Sequence, residues 1–166
     1  RRYGEFGRRA VFSLKALDLE FVGKADESWG NITQALAKDK QVDYAAVKVA
    51  KLLWAFGILI GNTDMHNGNL SFVSEQGRPY SIAPAYDMTT MAFAPKSGGG
   101  LVDTLSAPNI ISNVDNQTWK LALGLANTFL ERIINNKNVF SDRFSPCIQA
   151  LSKHIDIGKC KIKKLG

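Results

Sequence analysis

Between Gly61 and Leu70 the chain reads Gly-Asn-Thr-Asp-Met-His-Asn-Gly-Asn-Leu, and Ala83-Pro84-Ala85-Tyr86-Asp87 follows shortly after. Three of these side chains suit phosphoryl transfer by type and by order. Asp64 is a carboxylate able to accept the proton of an attacking hydroxyl. Asn69, five residues later, offers an uncharged oxygen to a divalent cation, and Asp87, 18 residues beyond Asn69, offers a charged one. Hard cations such as Mg²⁺ take oxygen ligands and keep several waters, so two protein ligands and the phosphates of ATP suffice to hold one.

The elements around these residues explain how they are presented. Asp43 caps a long helix that reaches Ile60 and whose last ten residues are apolar nearly all round, as in a helix buried in a core. Gly57 within it suggests close packing against a neighbour, and Gly61 ends it. Leu70–Val73 and Pro79–Ala83 read as two short strands around a turn at Glu75-Gln76-Gly77. Before them, Arg8–Phe12 reads as a strand end, Ser13 as the cap of a short helix through Leu19, and Ser28–Lys38 as an amphipathic helix built on Trp29, Ile32, Ala35 and Leu36. After them come a Gly/Pro/Ser-rich loop over Ala94–Pro108 and a helix capped by Asp115 that runs to Asn135. That helix has a stripe of Trp119, Leu121, Leu125, Phe129 and Ile133 expected to be buried. A last helix opens at Ser141 or Ser145 and runs to about Ile155, ahead of a basic tail. The expectation is a mainly α chain with one small β-hairpin beside the polar loop, and no internal boundary over 1–166.

Other chemistries fit these residues less well. Asn62, Asp64 and His66 fall at the first, third and fifth positions of a calcium loop, but Asn67 and Val73 stand where that loop wants Gly and Glu. His66 and His154 are the only histidines, and no Cys or acidic cluster completes a zinc site around them. Lys96-Ser97-Gly98-Gly99-Gly100 lacks the order of a Walker A loop. The plainest competing account is a polar turn in which Asp64 and Asn69 satisfy backbone groups.

Composition narrows the class without choosing within it. The 166 residues are 45 % hydrophobic and 22 % charged, ordinary for a globular domain, with a net charge of +6 that is compatible with nucleic acid, nucleotide phosphates or an acidic partner. The basic clusters Arg1, Arg2, Arg8, Arg9 and Lys159, Lys161, Lys163, Lys164 read as solvated termini. Phe6, Phe12, Phe21 and Trp29 read as core. Cys147 and Cys160 lack a CxxC spacing and read as free thiols of a reducing compartment. No apolar run reaches the roughly 20 residues that span a bilayer. The chain opens at Arg1-Arg2-Tyr3 and is expected to be a piece of a longer protein.

The order of Asp, Asn and second Asp is the one found in protein kinases, and the surrounding residues resemble one group of them. The stretch Ile60-Gly61-Asn62-Thr63-Asp64-Met65-His66-Asn67-Gly68-Asn69 is similar to the Ile/Leu-Gly-Asn-x-Asp-x-His-x-Lys-Asn loop of HipA-family serine/threonine kinases. These are the toxins of bacterial toxin–antitoxin modules. Ala83-Pro84-Ala85-Tyr86-Asp87 matches the family's Leu/Ala-Pro-x-Tyr-Asp. The resemblance covers most of the chain, with its specific part at residues 58–90, and extends to Gly4–Arg9 and Ser13–Asp18. It implies the helical C-lobe of a kinase-like fold, with Asp64 as catalytic base, His66 ordering the loop, and Asn69 and Asp87 binding Mg²⁺ and ATP. It also implies a cytoplasmic protein with no membrane contact. The expected partners are a protein substrate of the aminoacyl-tRNA synthetase class and an antitoxin, with DNA met only through the antitoxin or a further domain. Two departures stand out. Gly68 replaces the family Lys, and Met88-Thr89 follow Asp87 where other kinases have Phe-Gly. An ATP-pairing Lys, a phosphate-covering loop and an adenine hinge are not visible, so the isolated chain is expected to be inactive. A catalytically idle module that binds an antitoxin, a regulator or DNA is the alternative.

Overall fold

Side-chain caps at Ser13, Ser28 and Asp115 fix where three of the helices begin. The computed structural model describes residues 2–3, 7–74, 76–95, 97–100, 102–136 and 141–165, with side chains from residue 9 onward. The expectations for Phe6, Glu75 and Lys96 lie outside the described residues. The chain falls into two compact units, Arg1–Trp54 with Met65–Asp87, and Ala55–Asp64 with Met88–Gly166.

The first unit opens with a short antiparallel pair, β1 (Arg2–Tyr3) and β2 (Gly7–Arg8). Strand β3 (Ala10–Ser13) leads directly into helix α1 (Leu14–Phe21), whose N-cap is Ser13: the hydroxyl accepts the Ala16 N–H at 3.2 Å. Helix α2 (Trp29–Lys38) is capped in the same way by Ser28, and buries Trp29, Ile32, Thr33, Leu36 and Ala37. The spacing i, i+3, i+4, i+7, i+8 is that of one helical face. Helix α3 (Tyr44–Leu59) begins in this unit and places Ala46, Val47 and Ala50 in its core. Trp29 of α2 meets Trp54 of α3 edge to face, with ring centroids 5.6 Å apart. The expected hairpin is β4 (Ser71–Ser74) with β5 (Ser81–Ile82), and β3 joins it to make a three-stranded antiparallel sheet in the order β3-β4-β5. Phe12 pairs with Phe72 and Phe72 with Ile82, so the central strand carries the fully buried aromatic.

The second unit is built on helices α4 (Asn116–Asn135) and α5 (Ser145–Lys163), which pack together. Asp115 caps α4 as expected, accepting the Thr118 N–H at 2.8 Å. The expected stripe needs correction. Trp119 is buried, but Leu121 and Leu125 are 58 % and 48 % exposed, and the buried positions are Ala122 and Ala126. Small residues let helices approach closely, so α4 turns its alanines inward and leaves two leucines outside. The last helix also differs from expectation. It runs to Lys163 and not to Ile155, because Ile155, Gly158 and Ile162 continue the buried period through the basic run. The lysines there occupy the exposed side of the helix end, where positive charge complements the helix dipole. No helix among the described residues is long and apolar enough to cross a membrane.

Candidate functional site

The end of α3 sets the position of Asp64. Gly61 adopts φ +71°, its N–H donates to the Ile58 carbonyl at 3.2 Å, and the Asn62 N–H donates to the Gly57 carbonyl at 2.9 Å. These two bonds form a Schellman termination, which requires a left-handed residue and so favours Gly. A Cβ at Gly61 would also stand 3.1 Å from Leu105. The chain thus leaves the helix sharply at Asn62. The buried Asn62 side chain then accepts the Asp64 N–H at 3.0 Å, closing an Asx turn that lifts Asp64 to an exposed position. In the sequence Asn62 was a calcium-loop position and a matched motif position without a role; in the structure it supports the local backbone.

The first unit holds His66, Asn69 and Asp87. The His66 ring folds back over its own loop: Nδ1 accepts the Gly68 N–H at 3.0 Å, and the His66 carbonyl accepts the Asn69 N–H at 3.0 Å. Both bonds curl the chain so that Asn69 turns into the protein, 8 % exposed, while His66 stays outside. The loop is seated on the start of α1. The Leu14 N–H donates to the Leu70 carbonyl at 2.7 Å and the Lys15 N–H to the Asn67 carbonyl at 2.9 Å. The first N–H groups of a helix have no partner within it, and here the loop supplies two. Gly68 has a reason of its own. A Cβ there would stand 2.8 Å from the His66 ring, so the glycine and the folded-back histidine go together.

Tyr86 ties the two segments of this unit. Its hydroxyl donates to the Gly68 carbonyl at 2.6 Å and lies 2.7 Å from the Ser71 hydroxyl. Having one proton, the phenol gives it to the carbonyl and accepts from Ser71. The residue before Asp87 is thereby bonded to the residue before Asn69. Asp87 itself has φ +55°, a left-handed conformation uncommon for a residue with a side chain. Its carboxyl group is exposed. Asn69 and Asp87 present an amide and a carboxylate oxygen, both hard donors. Among the described residues no group of three or more His, Cys, Asp or Glu could hold a metal. Two oxygen donors of this kind suit a hard cation that keeps most of its own waters, as Mg²⁺ does.

Sequence reasoning gave Tyr86 no role and weighed His154 only as a zinc ligand, a reading it set aside. The tyrosine's signal was its place in a matched motif. His154 lies on the buried face of α5, with Nδ1 2.8 Å from the Ser106 carbonyl and Nε2 2.9 Å from the Ile58 carbonyl in the last turn of α3. Lys161 donates to the Pro108 carbonyl at 2.8 Å, and Gly158 leaves room for Leu59, which a Cβ would meet at 2.6 Å. Helix α5 therefore holds both the end of α3 and the 102–109 segment in place. Backbone carbonyls meet both ring nitrogens of His154, which agrees with setting the zinc reading aside.

Two comparisons with known proteins place the chain in a family. The family profile "HipA-like C-terminal domain" matches residues 15–144. The chain is also similar to Toxin YjjJ of Escherichia coli (strain K12), at 32 % identity over 163 residues, covering 98 % of this chain and 36 % of that protein. The profile takes in α1 to the short helical turn before α5, and with it every residue of the two loops described above, so this chain belongs to the HipA-like C-terminal domain family.

Proposed function

We propose that the intact protein is a HipA-like serine/threonine kinase, and that this chain is the helical C-terminal lobe carrying its base and metal ligands. In this reading the acceptor hydroxyl oxygen attacks the γ-phosphorus of ATP, the bond from that phosphorus to the ADP oxygen breaks, and ADP leaves. The exposed Asp64 carboxylate takes the hydroxyl proton. Asn69 and Asp87 are the residues that would hold Mg²⁺. When bound, that ion neutralises charge on the phosphates. His66 keeps the Asn69 turn closed through its bonds to Gly68 and Asn69. The observation that carries the reading is the Tyr86 hydroxyl bond to Gly68, which ties the Asn69 and Asp87 segments in an order shared with kinases. The similarity to a protein named as a toxin adds a role: a toxin acting on a protein substrate in the cytoplasm and restrained by an antitoxin.

The test is transfer of label from γ-labelled ATP by the intact protein in a lysate, wild type beside Asp64→Asn. Wild type is expected to label a protein band, and the variant to lose at least about 10²-fold of that activity, the low end for a general base, while keeping ATP affinity. Folded wild type that transfers nothing in the presence of Mg²⁺ would refute the kinase assignment. A second reading has its own observations: Gly68 in place of the family Lys, and the basic end of α5. These suit an idle module that binds an antitoxin, a regulator or DNA. Affinity for duplex DNA that falls steeply with salt would favour it.

A further inference from the structure

A cavity of about 640 Å³ lies wholly within the second unit, and its wall runs up to the Asp64 turn. Its lining mixes apolar residues such as Val102, Leu105 and Pro108 with uncharged polar ones such as Thr63, Thr104 and Asn109. Among the described residues no Lys, Arg, Asp or Glu lines it. His154 also lines it, with both ring nitrogens against carbonyls. The size falls in the range of sites that take a small ligand or side chains of a partner. The lining says which kind. Among these described residues a phosphate or other anion would find no cation to pair with, and a charged side chain would lose its water without compensation there. An uncharged, largely aliphatic group would lose only apolar hydration, which favours its burial. The link to chemistry is Asn62, which lines the cavity and whose side chain accepts the Asp64 N–H at 3.0 Å. Whatever fills the cavity therefore lies beside the backbone that carries the candidate base.

We infer that this cavity seats an uncharged aliphatic side chain of the protein substrate, adjacent in sequence to the acceptor Ser or Thr; the inference rests on the kinase reading. The cavity then gives the enzyme a local sequence preference in addition to any docking elsewhere. Its neutral walls make that preference a discrimination against charge more than a selection of one residue type.

The experiment uses the intact protein, γ-labelled ATP and a peptide library with a fixed central Ser or Thr and one varied flanking position at a time. The expected result is that Leu, Met or Val is preferred at one flanking position by about 10-fold over Asp and Lys, the low end for an apolar pocket. Ala94→Phe places a ring at the exposed rim of the cavity. It should erase the preference at that position and leave preferences elsewhere intact. Val102→Ala enlarges the cavity and should shift the preference toward Phe or Trp. Thermal melts of both variants within a few degrees of wild type establish that they fold, and either variant alone is informative. A charged residue preferred at every selective position would overturn the inference, as would an aliphatic preference that neither folded variant changes; in both cases the kinase reading stands. Wild type that labels neither peptide nor protein would remove the kinase reading and this inference together.

Discussion

Tyr86 and His66 are both held by backbone partners, and their bonds give the loop its shape. Tyr86→Phe keeps the ring and removes two hydrogen bonds, to the Gly68 carbonyl and the Ser71 hydroxyl. The expected cost is about 1–2 kcal/mol of stability, because the Gly68 carbonyl and Ser71 lose a partner. In the intact protein we also expect a higher Mg²⁺ concentration for half-maximal transfer, since the Asn69 and Asp87 segments are no longer tied. A lowered melting temperature with an unchanged Mg²⁺ requirement would assign Tyr86 to stability alone. Gly68 behaves differently from an ordinary loop glycine. Gly68→Ala puts a methyl group against the His66 ring and must displace it. A His66 ring resonance that is the same in wild type and variant by NMR would contradict that contact.

At the scale of elements, two helix ends pose the same conformational problem and solve it with different residues. Helix α3 ends at Gly61 with φ +71°, while α2 ends with Lys40 at φ +55°. The bonds match: Lys40 N–H to the Ala37 carbonyl at 3.1 Å and Gln41 N–H to the Leu36 carbonyl at 2.9 Å. A residue with a side chain in this conformation costs roughly 1 kcal/mol more than Gly. Lys40→Gly should therefore stabilise the protein by about 0.5–1 kcal/mol. Gly61→Ala should destabilise it by more than that, since strain adds to the approach of Leu105. Chemical denaturation of the two variants reads both signs, and equal shifts would mean that backbone strain is not the governing term. These ends were legible in advance because Gly61, Ser13, Ser28 and Asp115 act on backbone groups a few residues away. The faces of α4 were not. Leu121 and Leu125 are the more hydrophobic residues, yet α4 packs on α5 and buries Ala122 and Ala126 while both leucines stay exposed.

Over the whole molecule the two thiols differ as burial dictates. Cys147 is fully buried and Cys160 exposed, and neither is bonded to the other. Burial, reinforced by the Asp103 carboxylate and partly countered by a backbone hydrogen bond, raises the Cys147 thiol above its ordinary 9.0. The folded protein keeps this proton where the unfolded chain gives it up. The contribution to stability is thus fully present below about pH 9 and is lost as the pH rises beyond it. Wild type should lose stability to urea in that alkaline range by more than Cys147→Ala does; parallel curves would count against the shift. At about pH 8 a thiol reagent should label Cys160 and spare Cys147 until the protein unfolds. The chain spans 36 % of the length of the relative it matches. We expect residues 1–166 alone to fold yet show no phosphate transfer, and robust turnover by this piece would revise the division of labour proposed here.

By itself the sequence determined the order Asp64, Asn69, Asp87, the starts of α1, α2 and α4, the hairpin, and the motifs by which the family is recognised. These are local properties: caps and turns act within a few residues, and a motif is a spacing along the chain. The tertiary structure alone decided that Tyr86 reaches Gly68 across 18 residues and that His154 reaches Ile58 across 96. It also joined β3 to the hairpin and carried α5 through its basic end to Lys163, because contacts between residues far apart in sequence depend on folded geometry and not on local propensity.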